Sequence, residues 1–331
     1  LPALITGISL MCMEVMNELG TFALLNIPSI STGIAENWII EGNPKSAIGL
    51  SLVALLMIFT LIIFEKLSRR KSKRWSENPA SKDSQGWKLN KTRAFLAIII
   101  SLFPPIFSFG IPCFWVLLNI DLIQKGLSIE LLSLSLRTIS LGLLTALIAI
   151  LFSLIISLAR RPNKGLLLGL ITNLAGIGYA IPGTVLALSL ISISSSKFNF
   201  IAICLLIWGY LVRFLTISKG SIDSSLERIS PSLDEAALGL GENWLGIIKR
   251  IHLPLLQGPI FVGSLLVFVD TIKELPITFI LRPFDFDTLS VRIYQYAGDE
   301  RMVEAILPAI LIMTLGLIAS MTLIPSLEKK H

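Results

Sequence analysis

The stretch SPSLDEAALGLGENWLGIIKRIHLPLLQGP, residues 230–259, is polar where its neighbours on both sides are apolar. It reads as two short helices. Either Ser232 caps the first, with Glu235 three residues on completing a capping box, or Ser230 caps it and Pro231 takes the first helical position, where a missing N–H costs nothing. Gly241 ends that helix in a left-handed turn. Asn243 to His252 makes a second, amphipathic helix, and Pro254 stops it. Such a unit is suited to lie at a membrane surface and be gripped by another molecule.

Within it run Glu235-Ala236-Ala237, three residues, Gly241, nine residues, then Ile251-His252-Leu253-Pro254. This spacing resembles the EAA loop of ABC importer permeases, and every signature position is filled. The resemblance implies a coupling helix that docks into a groove on a cytoplasmic ABC ATPase dimer. It carries the docking role onto Glu235, Ala236, Ala237, Gly241, Ile251, Leu253 and Pro254. Two alanines keep one face flat, Glu235 offers a charge, and Gly241 sets the turn. The fold implied is an all-α integral membrane protein of the type I importer permease (MetI-like) class.

Composition agrees with a membrane chain. Of 331 residues 53% are hydrophobic and only 15% charged. The net charge of +6 comes from cations lying between apolar runs, where membrane topology rather than nucleic acid accounts for them. Cys12, Cys113 and Cys204 fall inside apolar segments and read as packing residues, not as disulfides or metal ligands. No G-x-x-x-x-G-K-[S/T] phosphate loop occurs, and neither His252 nor His331 sits in a metalloenzyme motif. His252 reads as an interfacial side chain of the coupling helix. The chain is therefore expected to be no enzyme and to hold no cofactor; ATP and Mg belong to the partner ATPase.

Runs of about 20 apolar residues suffice to cross a bilayer. About eight are present by that rule: 3–26, 46–65, 94–118, 133–159, 166–192, 198–217, 259–281 and 303–325. The polar segment 67–93 reads as a cytoplasmic linker, with Trp75 and Trp87 at headgroup level. Its many lysines and arginines set the orientation. Arg160, Arg161, Lys219, Arg228, Lys249, Arg250, Lys329 and Lys330 then fall on the same side, with the C-terminus in the cytoplasm of a bacterial cell and the protein multi-pass in its inner membrane. Arg282, Arg292 and Arg301 fit this scheme least. In LAGIGYAIPGTVLAL, residues 174–188, Pro182 and Gly183 predict a kink or break, serving either packing or a gate.

The start of the chain resembles its end. Glu14 to Leu19 lies opposite Asp270 to Leu275, and Pro28…Thr32-Gly33 opposite Pro283…Thr288-Leu289. Residues 1–66 read as the last two helices of one half, and 94–331 as a complete six-helix half carrying the EAA-like loop, 219–258. A preceding region is expected before Leu1. Glu14 and Glu18 share a helical face, and Asp270, Lys273 and Glu274 repeat the arrangement. Charges at membrane depth must face protein or water. They either line a cation path or form structural pairs, Lys273 with Asp270 among them.

Val269 to Ala305 carries KELP, LRPF-x-FDTL, R-x-Y and DER, and the first repeat carries MNELGTFALLNIPSISTGI. These resemble the iron(III) branch of fused ABC permeases. The implied function is the permease subunit of an ATP-driven importer served by a periplasmic ferric-iron-binding protein. Thiamine, spermidine/putrescine or another small solute is the alternative cargo. An ion-coupled secondary transporter is a more remote alternative that would not need the EAA spacing.

Overall fold

The long apolar runs become long helices because only a helix satisfies its own backbone groups away from water. The structure, a computed structural model, describes residues 2–72, 89–120, 128–162, 165–193 and 199–328, and these contain no strand. The order is α1 (Pro2–Asn17), α2 (Gly20–Leu24), α3 (Ile30–Ala35), α4 (Pro44–Ser72), α5 (Lys91–Leu118), α6 (Ile129–Arg160), α7 (Leu166–Ala175), α8 (Gly183–Ile193), α9 (Asn199–Leu226), α10 (Pro231–Gly239), α11 (Trp244–Ile272), α12 (Pro276–Leu281), α13 (Leu289–Gly298) and α14 (Met302–Glu328).

Helices α6, α9 and α11 pack together as the centre of the molecule. Leu141, Ala149, Leu206, Tyr210, Phe214 and Val267 fill the space between them. Small residues let the backbones approach, and polar ones join them. Ser153 Oγ lies 2.5 Å from Ser218 Oγ, and Ser157 Oγ donates to Asp223 at 2.5 Å. Helix α8 bridges this core to α3 and α4, through Val185 and Leu188 against Ile34, Ala47 and Ala54.

Among the described residues, six helices are long and apolar enough to cross a membrane, and seven if the bent pair 166–192 counts as one span. The eight expected runs are corrected in three places. Run 3–26 is not one helix: α1 stops at Asn17 and α2 restarts at Gly20. Run 259–281 likewise breaks between Ile272 and Pro276, and its helix begins far earlier, at Trp244. Run 166–192 has the break expected at Pro182 and Gly183, but a far sharper one than a kinked span, with 113° between its two parts. Hydropathy counts apolar residues and does not see a break that tertiary partners satisfy. The polar segment 67–93 is also shortened, since α4 continues to Ser72; its residues 73–88, with both tryptophans, lie outside the described residues.

The same succession of elements occurs twice, as α1–α4 and as α11–α14. Each long helix ends just before a glutamate that accepts from an amide in the first turn of the next short helix: Thr21 N–H donates to Glu18 at 2.9 Å, and Ile277 N–H to Glu274 at 3.3 Å. Each short helix is followed by a residue in the left-handed region, Asn26 at φ 52° and Asp285 at φ 64°, positions where short polar side chains are tolerated. Ser29 then caps α3 and Thr288 caps α13. Pairing Thr32 with Thr288, as the sequences align, is therefore displaced; the helix caps match Ser29 with Thr288.

Candidate functional site

The EAA-like segment forms a helix, a tight turn and a second helix. Of the two capping schemes, Ser230 is the cap, its Oγ accepting from Ser232 N–H at 3.3 Å with Pro231 at the first position. Gly241 adopts φ +88°, a conformation a side chain would strain, and Glu242 N–H returns to the Ala237 carbonyl at 3.1 Å. Glu242 also pairs with Arg250 across the turn. Asn243 starts α11, accepting from Gly246 N–H at 2.7 Å.

Pro254 does not stop this helix. Residues 248–252 make one π turn, and the helix runs on without a break to Ile272. The wider turn just before the ring absorbs both its bulk and its missing N–H. The second helix of the EAA-like segment and a membrane-length helix are thus one rod.

Two further expectations are corrected. Ala237 is buried while Ala236 is exposed, so only one alanine faces outward, together with Leu233, Glu235, Leu238, Leu240 and Leu245. Ile251 and Leu253 are half-buried and Pro254 is exposed. His252 is not interfacial: it is fully buried, with Nε2 2.9 Å from Asp234 Oδ1 and the Trp244 ring edge-on at 5.7 Å. Asp234 also receives Arg161 Nε at 2.5 Å. The same guanidinium donates to the carbonyls of Leu226 at 2.8 Å, Ile229 at 2.9 Å and Ser230 at 3.3 Å.

The other end of α11 reaches a charge cluster in which Arg213 and Glu274 are buried while Lys273 and Glu14 are about half exposed. Lys273 Nζ lies 3.0 Å from Asp270 and 3.4 Å from Glu14. Arg213, on α9 and only 2% exposed, lies 3.2 Å from Glu274 and 3.8 Å from Glu14. Tyr179 donates to Glu14 at 3.0 Å, and its ring stacks on Arg213 at 5.4 Å. The structural pairing of Lys273 with Asp270 is therefore present, and Glu14, Asp270 and Glu274 each have a cation. Glu18 stands apart from the ion pairs as the partner of the α2 amide, but with Glu14, Asn17, Lys273, Glu274 and Ser290 it lines a cavity of about 270 Å³.

The break at Pro182 and Gly183 faces this cluster. Proline forces Ile181 into an extended conformation and removes an amide. The Gly183 N–H donates not to a helix carbonyl but to Asn17 Oδ1, at 2.6 Å. A Cβ on Gly183 would lie 2.8 Å from both Arg213 and Glu274. Asn17, which makes the two repeats electrostatically unequal, is thus the residue that satisfies the broken span.

The segment Leu281 to Leu289 builds a loop rather than an open site. Asp287 pairs with Arg282 and with Arg292, the latter at 3.3 Å, and Arg292 reaches Glu130 at 2.5 Å. Arg137 stacks on Phe286 and donates to the Asp285 carbonyl at 2.9 Å. Arg301 pairs with Glu304 at 3.2 Å, so the three arginines that fit the charge pattern least are each neutralised locally. Burial, with a smaller part from Glu36, pushes the Tyr294 hydroxyl above its usual range, so it stays protonated in the neighbouring cavity.

Reading the sequence missed Arg213, Tyr179 and Asn17 in the cluster, and Arg161 and Asp234 at the loop. Arg213 had a signal, a lone cation inside the apolar run 198–217. Asn17 stood out only as the departure from Lys273 at the matching position of the repeat; the others had no signal, because a tyrosine or a charge at a helix end is ordinary until its partner is known.

No family model matches the chain. It is 26% identical over 314 residues to the "Fe(3+)-transport system permease protein FbpB 2" of Haemophilus influenzae, a match covering 92% of this chain and 62% of that protein. Among solved structures, it matches a chain of a bacterial alginate ABC transporter in complex with alginate pentasaccharide-bound periplasmic protein, at TM-score 0.49 and 16% identity, over 71% of this chain and 93% of that one. A second structure, of a bacterial ABC transporter involved in the import of alginate, gives 0.48 and 16%, over 72% and 98%. Over nearly its whole length, then, this chain, which has no strand among its described residues, is similar to a ferric iron transport permease, as its EAA-like loop and its LRPF-x-FDTL segment indicate.

Proposed function

We propose that this chain is the membrane permease of an ATP-driven, binding-protein-dependent importer, with ferric iron as cargo. One observation carries the mechanism: α11 is continuous from the EAA-like turn to the charge cluster. Its 29 residues make a rod of roughly 44 Å at the standard helical rise. A displacement of the loop by a docked ATPase therefore moves Asp270 and the break at Lys273–Glu274 with it. Glu235, Ala236 and the exposed leucines would form the docking face, Gly241 would hold its turn, and buried Ala237 would fit the helix closely to its support. ATP hydrolysis would belong to the ATPase dimer, and cargo delivery to a periplasmic binding protein.

In this reading the cluster closes the path. Its carboxylates are matched by Arg213 and Lys273, so a trivalent cation would compete for them only when the pairs separate. Separation needs relative movement of α1, α9 and α11, which the rod supplies. Pro182 and Gly183, at the fold of the bent span, would move with them.

The test is uptake of labelled ferric iron by cells carrying the full-length protein, with an intact or a hydrolysis-deficient ATPase. Uptake that needs ATP hydrolysis is the expected result. Uptake of another solute with the same requirement would replace the cargo, and uptake indifferent to the ATPase would end the proposal.

A further inference from the structure

We infer that Arg161, Asp234 and His252 are positioning residues that lock the docking helix α10 to three membrane helices, so that force on the loop reaches the bundle. The inference rests on the transport reading just given, and it concerns inward-facing residues that the EAA-like spacing does not include.

The geometry is specific. Asp234 is 7% exposed on a helix whose opposite face is open. One of its oxygens accepts from Arg161, which immediately follows α6, and the other faces His252, within α11. Arg161 also closes over the carbonyls of Leu226, Ile229 and Ser230, the whole connection from α9 to α10. Both carboxylate oxygens and every guanidinium nitrogen are thus used within the protein, and His252, whose Nδ1 has no hydrogen-bond partner, is itself fully buried, so the trio is a joint, not an open binding site. A short amphipathic helix held only by apolar contacts slides under load; directional, charge-assisted bonds resist sliding.

The joint continues inward. Ser153, Ser157 and Arg161 recur every fourth residue and share one face of α6. Ser153 meets Ser218, and Ser157 meets Asp223, which also pairs with Lys219. This polar seam between α6 and α9 runs from the core to the loop, and makes α6, α9 and α10 one body. Through His252 that body also grips α11 at its π turn, where the helix is most easily bent. The edge contact from Trp244 holds the imidazole in place.

The experiment uses the full chain with Asp234→Asn, Arg161→Lys, His252→Leu and His252→Gln. Hydrogen exchange of the purified chain reads the joint without reference to transport. Uptake of ferric iron per ATP hydrolysed, in vesicles with the ATPase and binding protein, reads its use. Asp234→Asn and His252→Leu are expected to speed exchange of the 231–239 amides about tenfold and to lower uptake per ATP about fivefold. His252→Gln, which keeps a donor near the Nε2 position, should stay within about twofold of the parent in both. Unchanged exchange would show that the trio does not hold the helix. Faster exchange with unchanged uptake per ATP would show that it holds the helix but transmits nothing. Either result overturns the inference. If Asp234→Asn speeds exchange throughout α6 and α9, the milder Arg161→Lys decides on the same two readouts. A parent complex with no ATP-driven uptake overturns the transport reading and the transmitting role, while the exchange data still report the joint.

Discussion

Arg213 is the residue with most at stake. It is buried among Tyr179 and Phe214 with Glu274 and Glu14 as its counter-charges. Removing one member of such a set leaves the other charge buried and unpaired, so Arg213→Ala should destabilise the chain by about 3–5 kcal/mol. Thermal unfolding in detergent measures this, and a loss under about 1 kcal/mol would mean that the pair is not closed in solution. The double variant Arg213→Ala, Glu274→Gln should lose less than the sum of the two single changes, because the two residues share one interaction. Gly183→Ala pushes a methyl group against the same pair and against Asn17; about 1–3 kcal/mol is expected from overpacking. The sequence carried one signal for Arg213, a lone cation in an apolar run, and reading it missed that residue; which carboxylates pair with it was not legible, since Glu14 and Glu274 are distant in the chain and lie in different repeats.

At the level of elements, the turn between α10 and α11 matters more than either helix. Gly241 is left-handed, and its backbone sets the direction in which α10 leaves the rod. Gly241→Ala should cost about 1–2 kcal/mol, seen as faster hydrogen exchange at 238–246 with the bundle unaffected. Equal exchange would show that the turn adapts without strain. The left-handed glycine and the Ser230–Pro231 start were readable because caps are local. The fate of Pro254 was not. A proline after an amphipathic run signals a stop by every local rule, and only the π turn, fixed by burial of His252 against Asp234, lets the helix pass through it. The breaks after α1 and α11 were hidden for a related reason: the glutamates that serve as amide acceptors there read from sequence as charges on continuous spans.

The whole molecule makes two commitments. Leu240, just after α10, and Phe284, on the loop after α12, are 87% and 94% exposed. In a variant lacking Cys12, Cys113 and Cys204, single cysteines at these positions should react with an impermeant thiol reagent from opposite sides of the membrane. Labelling of both from one side would refute the orientation set by the basic residues. Glu235→Lys reverses the charge at the centre of the exposed face, and should weaken association with the ATPase by tenfold or more. Co-purification measures it; full retention with normal uptake would remove Glu235 from the interface.

The sequence by itself determined that the chain is helical and membrane-embedded, that 235–254 carries the EAA spacing, and that its two ends repeat. These are properties of composition and short-range order, and a helix needs no distant partner to form its hydrogen bonds. Tertiary structure alone decided that Ala237 and His252 face inward, that Asn17 satisfies the backbone of a span far along the chain, and that the carboxylates of both repeats are neutralised by Arg213 and Lys273. The bond of His252 to Asp234, of Asn17 to Gly183 and of Arg213 to Glu274 is each a buried polar contact between segments apart in the chain. The energy of each depends on desolvation and on distances of a few ångströms, and those exist only once the helices have packed.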